Sequence, residues 1–257
     1  MHPRPPRLIM WDIDRTLIHA GRIAVQAYAT AFTAVTGLAW REATVFAGRT
    51  DRAVTAEILT GYGVADTAEL RATFFARYAE EFAARRHLIA ASGRVLPGVP
   101  EVLAALADRP HVTQTLVTGN IPAVALAKVA AFGLDGPFDV AVGGYGMDDP
   151  VRAELVARSR RLAEAKYGPF APSDIVVVGD TVHDVEAALA VGVTAIGVAT
   201  GDTGTDELAA AGAHLVFADL GDVDAVVARL AGDLPPASPP SPRRPAPSGS
   251  AEPAGTA

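Results

Sequence analysis

A short apolar run that ends in two closely spaced aspartates constrains the fold of this chain more than any other stretch. Residues 8–11 are apolar, and Asp12 and Asp14 follow them, separated by one residue. Such a run is typical of a buried strand, and open α/β sheets bind their ligands at the carboxyl ends of such strands. Two carboxylates at that position repel each other unless a cation lies between them or one is protonated. The stretch therefore predicts an α/β fold with a charged site.

The order of the apolar runs predicts the arrangement of the remaining chain. After residue 92, segments of helical periodicity alternate with strand-like runs, which lie at 111–117, 138–142, 175–178 and 193–198. Residues 20–90 show only helical patterns, which lie at 23–35, 51–59 and 68–89. Strands that alternate with helices form βαβ units and a mainly parallel sheet. We therefore predict an α/β protein with a Rossmann-like core at 7–19 and 91–231 and an inserted α-helical cap at 20–90.

The composition excludes several classes of function. A formal net charge of −7 and a pI near 5.3 give the chain no electrostatic footprint for nucleic acid or an anionic membrane surface. The absence of cysteine excludes disulfides, a thiol nucleophile and a Cys-based zinc site. No apolar stretch reaches the roughly 18 residues of a membrane span, and too few apolar residues precede Asp12 for a signal peptide. We expect a soluble, cytoplasmic monomer or homodimer with no nucleic-acid or membrane partner. Residues 232–257, rich in Pro, Ala and Ser, are predicted to be disordered.

Polar residues stand at the ends of three predicted strands. Asp12 and Asp14 end the first strand, Thr118 ends one in the middle of the chain, and Asp180 and Asp184 follow a third. Because the carboxyl ends of parallel strands lie at one edge of a sheet, these side chains are expected to converge. Oxygen ligands without a Cys or His cluster favour Mg²⁺. Each motif alone is more often a turn or a helix cap, but their combination in one alternating fold indicates a magnesium site.

These motifs resemble those of the haloacid dehalogenase-like superfamily, which contains aspartate-nucleophile phosphohydrolases. The first, second and fourth motifs of that superfamily are matched by Asp12-x-Asp14-x-Thr16, by Thr118 and by Gly179-Asp180-x-x-x-Asp184. The resemblance covers about residues 7–230. The predicted helical insert is placed like the superfamily's cap of the first type.

The resemblance implies a role for each matched residue. Asp12 would be the nucleophile that forms an aspartyl-phosphate, and Asp14 the acid and base that serves the leaving oxygen and then water. Mg²⁺ would be bound by the Asp12 carboxylate, the Asp14 backbone carbonyl and Asp180, with Asp184 binding the ion or one of its ligands. Thr118 would donate a hydrogen bond to the phosphoryl group. Dehalogenases of the superfamily lack an acid/base Asp at the second position, so Asp14 favours phosphoryl transfer.

Two positions depart from the pattern of the superfamily. Arg15 replaces the glycine that commonly follows the second aspartate, and its bulk is expected either to constrain the turn or to reach the mouth of the site. The third motif normally supplies a lysine, often in Gly-Lys-Pro, and that sequence is missing here. Arg152 stands at about the right place and is the catalytic cation that we predict. Lys166, nearer the far end of the same predicted helix, is the weaker candidate.

The cap is expected to determine which substrate is bound. Arg49, in the polar loop 48–51 before a predicted helix, is a candidate ligand for a substrate anion, with a simple exposed charge as the alternative. Gly119 and Asn120, directly after Thr118, are the other predicted substrate contacts. Residue Thr50 is predicted to be the helix N-cap. The glycine-rich stretch 143–146 is interpreted as a flexible turn that borders the site.

The favoured function is hydrolysis of a small phosphorylated metabolite by a Mg²⁺-dependent phosphatase of the phosphoglycolate phosphatase-like branch. A phosphosugar mutase of the same superfamily shares the aspartyl-phosphate and differs in whether water or substrate accepts the phosphoryl group. A receiver-like or phosphate-sensing module, or an inactive member, is a further alternative. A phosphonate hydrolase would need a cap lysine, and residues 20–90 contain none.

Overall fold

The computed structural model describes residues 4–41 and 45–233. The first half of the chain contains β1 (Arg7–Trp11), β2 (Ile18–His19), α1 (Ile23–Thr36), α2 (Asp51–Gly61), α3 (Ala68–Arg85), α4 (Ile89–Ser92), β3 (Arg94–Val95), α5 (Val99–Ala107), β4 (Val112–Thr118) and α6 (Pro122–Ala130). The second half contains β5 (Gly144–Tyr145), α7 (Arg152–Tyr167), β6 (Ile175–Gly179), α8 (Val182–Val191), β7 (Thr194–Val198), α9 (Thr205–Ala210), β8 (Leu215–Phe217) and α10 (Val223–Leu230). Of the predicted disordered tail, all but residues 232 and 233 lies outside the described residues.

Six strands form one parallel sheet in the order β5-β4-β1-β6-β7-β8. Strand β1 lies inside the sheet, with Trp11 paired to Leu116 of β4 and to Val178 of β6. Its residues from Leu8 to Trp11 have no exposed surface, because helices cover both faces of the sheet. The predicted α/β fold with a mainly parallel sheet is confirmed.

Regular structure in the described part of residues 20–90 is entirely helical. The predicted N-cap Thr50 accepts a hydrogen bond from the Ala53 backbone N–H at 3.1 Å, which confirms the predicted start of α2. Helices α1 and α3 pack together through an aromatic cluster centred on Tyr28, whose ring lies 4.7 Å from that of Phe74. The short antiparallel pair of β2 and β3 lies where this segment leaves and rejoins the sheet. We call residues 20–90 the cap segment; its treatment as a separate domain stays a prediction.

The strand predicted at 138–142 is wrong. Phe138 forms only an isolated bridge to Gln114, and a 3₁₀ turn follows at Val140–Val142. The Asp139 carboxylate accepts a hydrogen bond from the Ala141 N–H and so stabilises the turn in place of an extended conformation. The sheet edge is instead formed by β5, inside the stretch interpreted as a flexible turn, so that interpretation is also wrong.

In residues 4–41 and 45–233 we find no helix with the length and apolar character needed to cross a bilayer.

Candidate active site

Three strand ends bring the predicted polar residues to one edge of the sheet. Asp12 directly follows β1, Thr118 is the last residue of β4, and Asp180 directly follows β6. The Asp12 N–H donates to the Val178 carbonyl at 2.9 Å, so the ends of β1 and β6 are held side by side. All three polar side chains are buried. They line a cavity of about 360 Å³ that residues of the cap segment close from the other side.

The carboxylates of Asp12, Asp180 and Asp184 form a cluster in which one oxygen of each lies within 4.8 Å of the others. Burial raises the pKa of Asp12 and of Asp180, and the charge of Asp184 raises both pKa values further. The charge of Asp12 also raises the pKa of Asp180. The Asp180 carboxylate accepts a hydrogen bond from the Thr16 hydroxyl at 3.2 Å. One buried oxygen of Asp184, Oδ1, has no hydrogen-bond partner among the described residues. A buried cluster of three hard oxygen ligands fits a divalent cation, which would remove the repulsion between the carboxylates.

Arg152, the first residue of α7, reaches this cluster from the side. Its Nη2 lies 2.7 Å from Asp12 Oδ1 and 2.6 Å from Asp184 Oδ1, the latter without hydrogen-bond geometry. Its Nη1 donates to the Gly48 carbonyl of the cap segment at 3.2 Å. Burial opposes the charge of Arg152, but the two carboxylates outweigh it and raise the pKa of the guanidinium. Lys166 instead pairs with Asp139 at the far end of α7, so Arg152 is the cation that meets Asp12.

Asp14 faces a second cation, Lys128, which the sequence reasoning missed. Lys128 Nζ lies 2.7 and 2.5 Å from the two Asp14 oxygens and 2.8 Å from Asn120 Oδ1. Its side chain is 3% exposed, whereas that of Asp14 is 42% exposed within the cavity. Burial alone would raise the pKa of Asp14, but Lys128 and a hydrogen bond from Asn120 lower it below its usual value. The available signal was that Lys128 is the only charged residue in α6, which is otherwise apolar.

The predicted substrate contacts Gly119 and Asn120 lie in the lining of the cavity. The Asn120 side chain is engaged by protein groups, since its amide donates to Asp14 at 2.7 Å and to Thr118 at 2.9 Å. At Gly119, an added Cβ would lie 2.0 Å from the Arg49 carbonyl oxygen, so no side chain fits between this turn and the cap segment. Both residues therefore fix the geometry of the cavity floor.

Arg49 lines the cavity, but its guanidinium is paired inside the cap segment. Its Nη2 lies 2.5 Å from the Glu57 carboxylate, and its Nη1 donates to the Val45 carbonyl at 3.4 Å. In this arrangement Arg49 is a neutralised charge at the rim of the cavity.

Asp51 is a second residue that the sequence reasoning missed. Its carboxylate accepts a hydrogen bond from the Ile121 N–H at 2.9 Å, and its own N–H donates to the Gly119 carbonyl at 2.7 Å. The next residue, Arg52, donates its N–H to the Gly146 carbonyl at 2.9 Å. Burial raises the pKa of Asp51 to about 7. These bonds join the start of α2 to the edge of the sheet, a contact that a helix-start signal in the sequence does not reveal.

Arg15 adopts a left-handed backbone conformation, with φ of 63°, and no other described non-glycine residue has a positive φ. This explains why glycine is common at this position in the family that the motifs resemble, since a Cβ is unfavourable there. Its guanidinium pairs with Asp202 at the rim of the cavity. Arg15 therefore lines the cavity, in agreement with the expectation that it reaches the mouth of the site.

Comparison with known proteins gives a consistent result. The family model described as haloacid dehalogenase-like hydrolase matches residues 9–189. The "Probable phosphatase IndB" of Dickeya dadantii (strain 3937) is 35% identical over 136 residues, which are 52% of this chain. The match spans only 56% of that relative's length.

Solved structures show the same fold at low sequence identity. CbbY from Rhodobacter sphaeroides, solved in complex with phosphate, superposes with a TM-score of 0.64 at 19% identity, covering 85% of this chain and 96% of the other. A predicted phosphoglycolate phosphatase from Haemophilus somnus 129pt superposes with a TM-score of 0.62 at 21% identity, covering 86% and 97%. At these identities the likeness concerns the fold alone.

Proposed function

The chain belongs to the haloacid dehalogenase-like hydrolase family, and on that premise we propose that it is a Mg²⁺-dependent phosphatase acting on a small phosphate monoester. The observation that carries the proposal is the environment of Asp12. This buried carboxylate lies at the floor of the cavity, belongs to a three-carboxylate cluster, and has one oxygen fixed by Arg152. The substrate would be a small phosphorylated metabolite, and the cytoplasm its location.

The geometry supports a two-step reaction. Arg152 holds Asp12 Oδ1, which leaves the other oxygen to attack phosphorus while the P–O bond to the alcohol breaks. The departing oxygen takes its proton from Asp14, and the product is an aspartyl-phosphate. Water then attacks phosphorus, gives its proton to Asp14 and releases orthophosphate from Asp12. Lys128 favours the ionised form of Asp14, which supports its role as the base of the second step. The proton that Asp14 takes from water in that step is then available for the departing oxygen of the next turnover.

The residues around the cluster would also hold the metal ion. When bound by Asp12, Asp180 and Asp184, Mg²⁺ would supply positive charge against the phosphoryl oxygens. Arg152 adds a positive charge beside Asp12, and the buried Thr118 hydroxyl would donate a hydrogen bond to the phosphoryl group. Together these groups would stabilise the charge that develops during transfer.

Hydrolysis of p-nitrophenyl phosphate, with Mg²⁺ and with EDTA, tests the proposal. Asp12→Asn should lower kcat by at least about 1000-fold, because it removes the nucleophile, and EDTA should abolish the activity of the wild type. Asp206→Asn, an exposed aspartate on α9, is the matched control and should retain full activity. Unchanged activity of Asp12→Asn would contradict the mechanism. No turnover of any phosphate ester by the wild type would favour the phosphate-sensing alternative.

A further inference from the structure

The cationic side chains that line the cavity are all paired with carboxylates. Four cations line it: Arg15, Arg49, Lys128 and Arg152. Five carboxylates line the same cavity. Within residues 4–41 and 45–233, the lining therefore has no excess of positive charge.

Two of these pairings lie near the phosphoryl site and two lie at the rim. Arg152 and Lys128 face Asp12 and Asp14, as described above. At the rim, Arg15 pairs with Asp202, and Arg49 with Glu57. The dianionic phosphoryl group would interact with Arg152 and the metal ion. A second anion on the substrate would find only cations that already have partners, and it would also face the buried Asp51.

Apart from Arg49 and Asp51, the cap segment contributes only uncharged side chains to the cavity lining. Ala24, Val25 and Phe46 are partly buried and line it together with Tyr78. The ring of Tyr78 is buried and packs between Tyr28 and Phe82. Its hydroxyl has no hydrogen-bond partner in the described part of the chain. The cap end therefore offers apolar surface and one neutral hydroxyl in a fixed position.

Granted the phosphatase activity proposed above, on which this inference rests, we propose that the organic part of the substrate is an uncharged alcohol. A second phosphate or a carboxylate would lose its hydration without gaining an unpaired cation, and burying a charge without a partner is costly. A neutral hydroxyl on the substrate can instead bond to Tyr78, and a short alkyl part can contact Val25 and Phe46. The cavity is thus unsuited to a bisphosphate, which a phosphosugar mutase forms when its substrate accepts the phosphoryl group from the aspartyl-phosphate.

Two phosphate esters of nearly equal size test the effect of substrate charge independently of substrate size. 2-Hydroxyethyl phosphate carries a neutral hydroxyl group where 2-phosphoglycolate carries a carboxylate. For the wild type we expect kcat/KM to be at least about 10-fold higher for 2-hydroxyethyl phosphate. In the wild type, 2-hydroxyethyl phosphate should be preferred over ethyl phosphate, because only the former offers a hydroxyl to Tyr78. Tyr78→Phe should reduce this preference, measured as the ratio of the two kcat/KM values, by about fivefold, because one hydrogen bond is lost.

A gain-of-function variant tests the same idea from the opposite direction. Val25→Arg would add an unpaired cation to the cap end and should raise kcat/KM for 2-phosphoglycolate relative to the neutral ester. Val140→Arg, at an exposed position outside the cavity lining, is the matched control and should leave the ratio unchanged.

The outcomes distinguish this inference from the proposed function. Equal or faster hydrolysis of 2-phosphoglycolate by the wild type would overturn the inference and leave the phosphatase activity standing. If no ester is hydrolysed, including p-nitrophenyl phosphate, the proposed function fails, and calorimetric titration of the wild type with both esters decides. Tighter binding of 2-hydroxyethyl phosphate would then support the inference, whereas tighter binding of 2-phosphoglycolate, or binding of neither, would overturn it.

Discussion

The aspartates after β1 are neutralised from opposite sides of the cavity, and the two sides are built differently. The metal side consists of Asp12, Asp180, Asp184 and Arg152, all at strand ends or in first turns of helices. The lysine side consists of Asp14, Asn120, Lys128 and Asp51, and its cation comes from the last turn of α6. Residues of the metal side converge because parallel strands end at one edge of the sheet. The lysine side depends on how α6 lies against the cap segment.

Strand pairing determines the positions of the residues on the metal side, and helix packing determines those on the lysine side. On the metal side, the pairing of β1 with β4 and β6 fixes the backbone positions from which the carboxylates extend. On the lysine side, Lys128 reaches Asp14 only because α6 packs against α3 of the cap segment with this turn facing the cavity. We therefore expect substitutions on the lysine side to affect both activity and stability.

The largest effect in this comparison is expected for Lys128→Met. The substitution leaves Asp14 and the Asn120 carbonyl oxygen without their cationic partner, so kcat for p-nitrophenyl phosphate should fall about 10- to 100-fold. Stability to urea should fall by about 1–3 kcal/mol, less than for a fully buried pair because Asp14 is partly exposed. Lys166→Met removes a surface pair with Asp139 and should change neither property. Wild-type activity in Lys128→Met would show that the lysine side is dispensable.

A smaller, pH-dependent effect is expected for Asp51→Asn. The pKa of Asp51 is raised by burial from 3.8 to about 7, so the folded state binds more protons than the unfolded state between these pH values. Stability should therefore decrease as the pH rises from about 4 to above 7. Asn keeps an acceptor for the Ile121 N–H without this titration, so the variant should gain about 1–3 kcal/mol over the wild type between pH 5 and pH 8.

Thermal unfolding in EDTA at both pH values measures this difference. Other buried carboxylates also titrate, and they do so in both proteins. The contribution of Asp51 is therefore the amount by which the Tm difference between variant and wild type changes from pH 5 to pH 8. Asp206→Asn should follow the wild type at each pH. If the Tm of Asp51→Asn changes with pH as much as that of the wild type, ionisation of Asp51 costs the folded state little free energy.

The smallest effect concerns Arg15. Because φ of 63° is unfavourable for a residue with a Cβ, Arg15→Gly should be more stable than Arg15→Ala by about 1 kcal/mol. Both variants lose the exposed pair with Asp202, so that contribution cancels between them. Urea denaturation monitored by circular dichroism gives the difference. Equal stability of the two variants would mean that the turn relaxes once the arginine is removed.

The sequence predicts the sheet and the metal side because both follow from short, local patterns. Apolar runs that end in aspartate or threonine identify β1, β4 and β6. Arg152 was predicted from the resemblance, because it stands about where the superfamily has its third motif. The strand expected at 138–142 is wrong because Asp139 forms a local turn that competes with pairing. Lys128, Asp51 and the hydroxyl of Tyr78 were missed since their roles depend on which turn of a helix faces the cavity.

The pair of β2 and β3 has a mechanical consequence. The cap segment joins the sheet through these two strands, which lie side by side and are hydrogen-bonded to each other. Such a ribbon acts as a pivot, because it resists sliding and stretching but permits rotation about its own axis. Rotation that opens the cavity has to break the bonds at the far end, where Asp51 and Arg52 donate to the Gly119 and Gly146 carbonyls. Opening the cavity by such a rotation would therefore break bonds at the start of α2 and leave those between β2 and β3 intact.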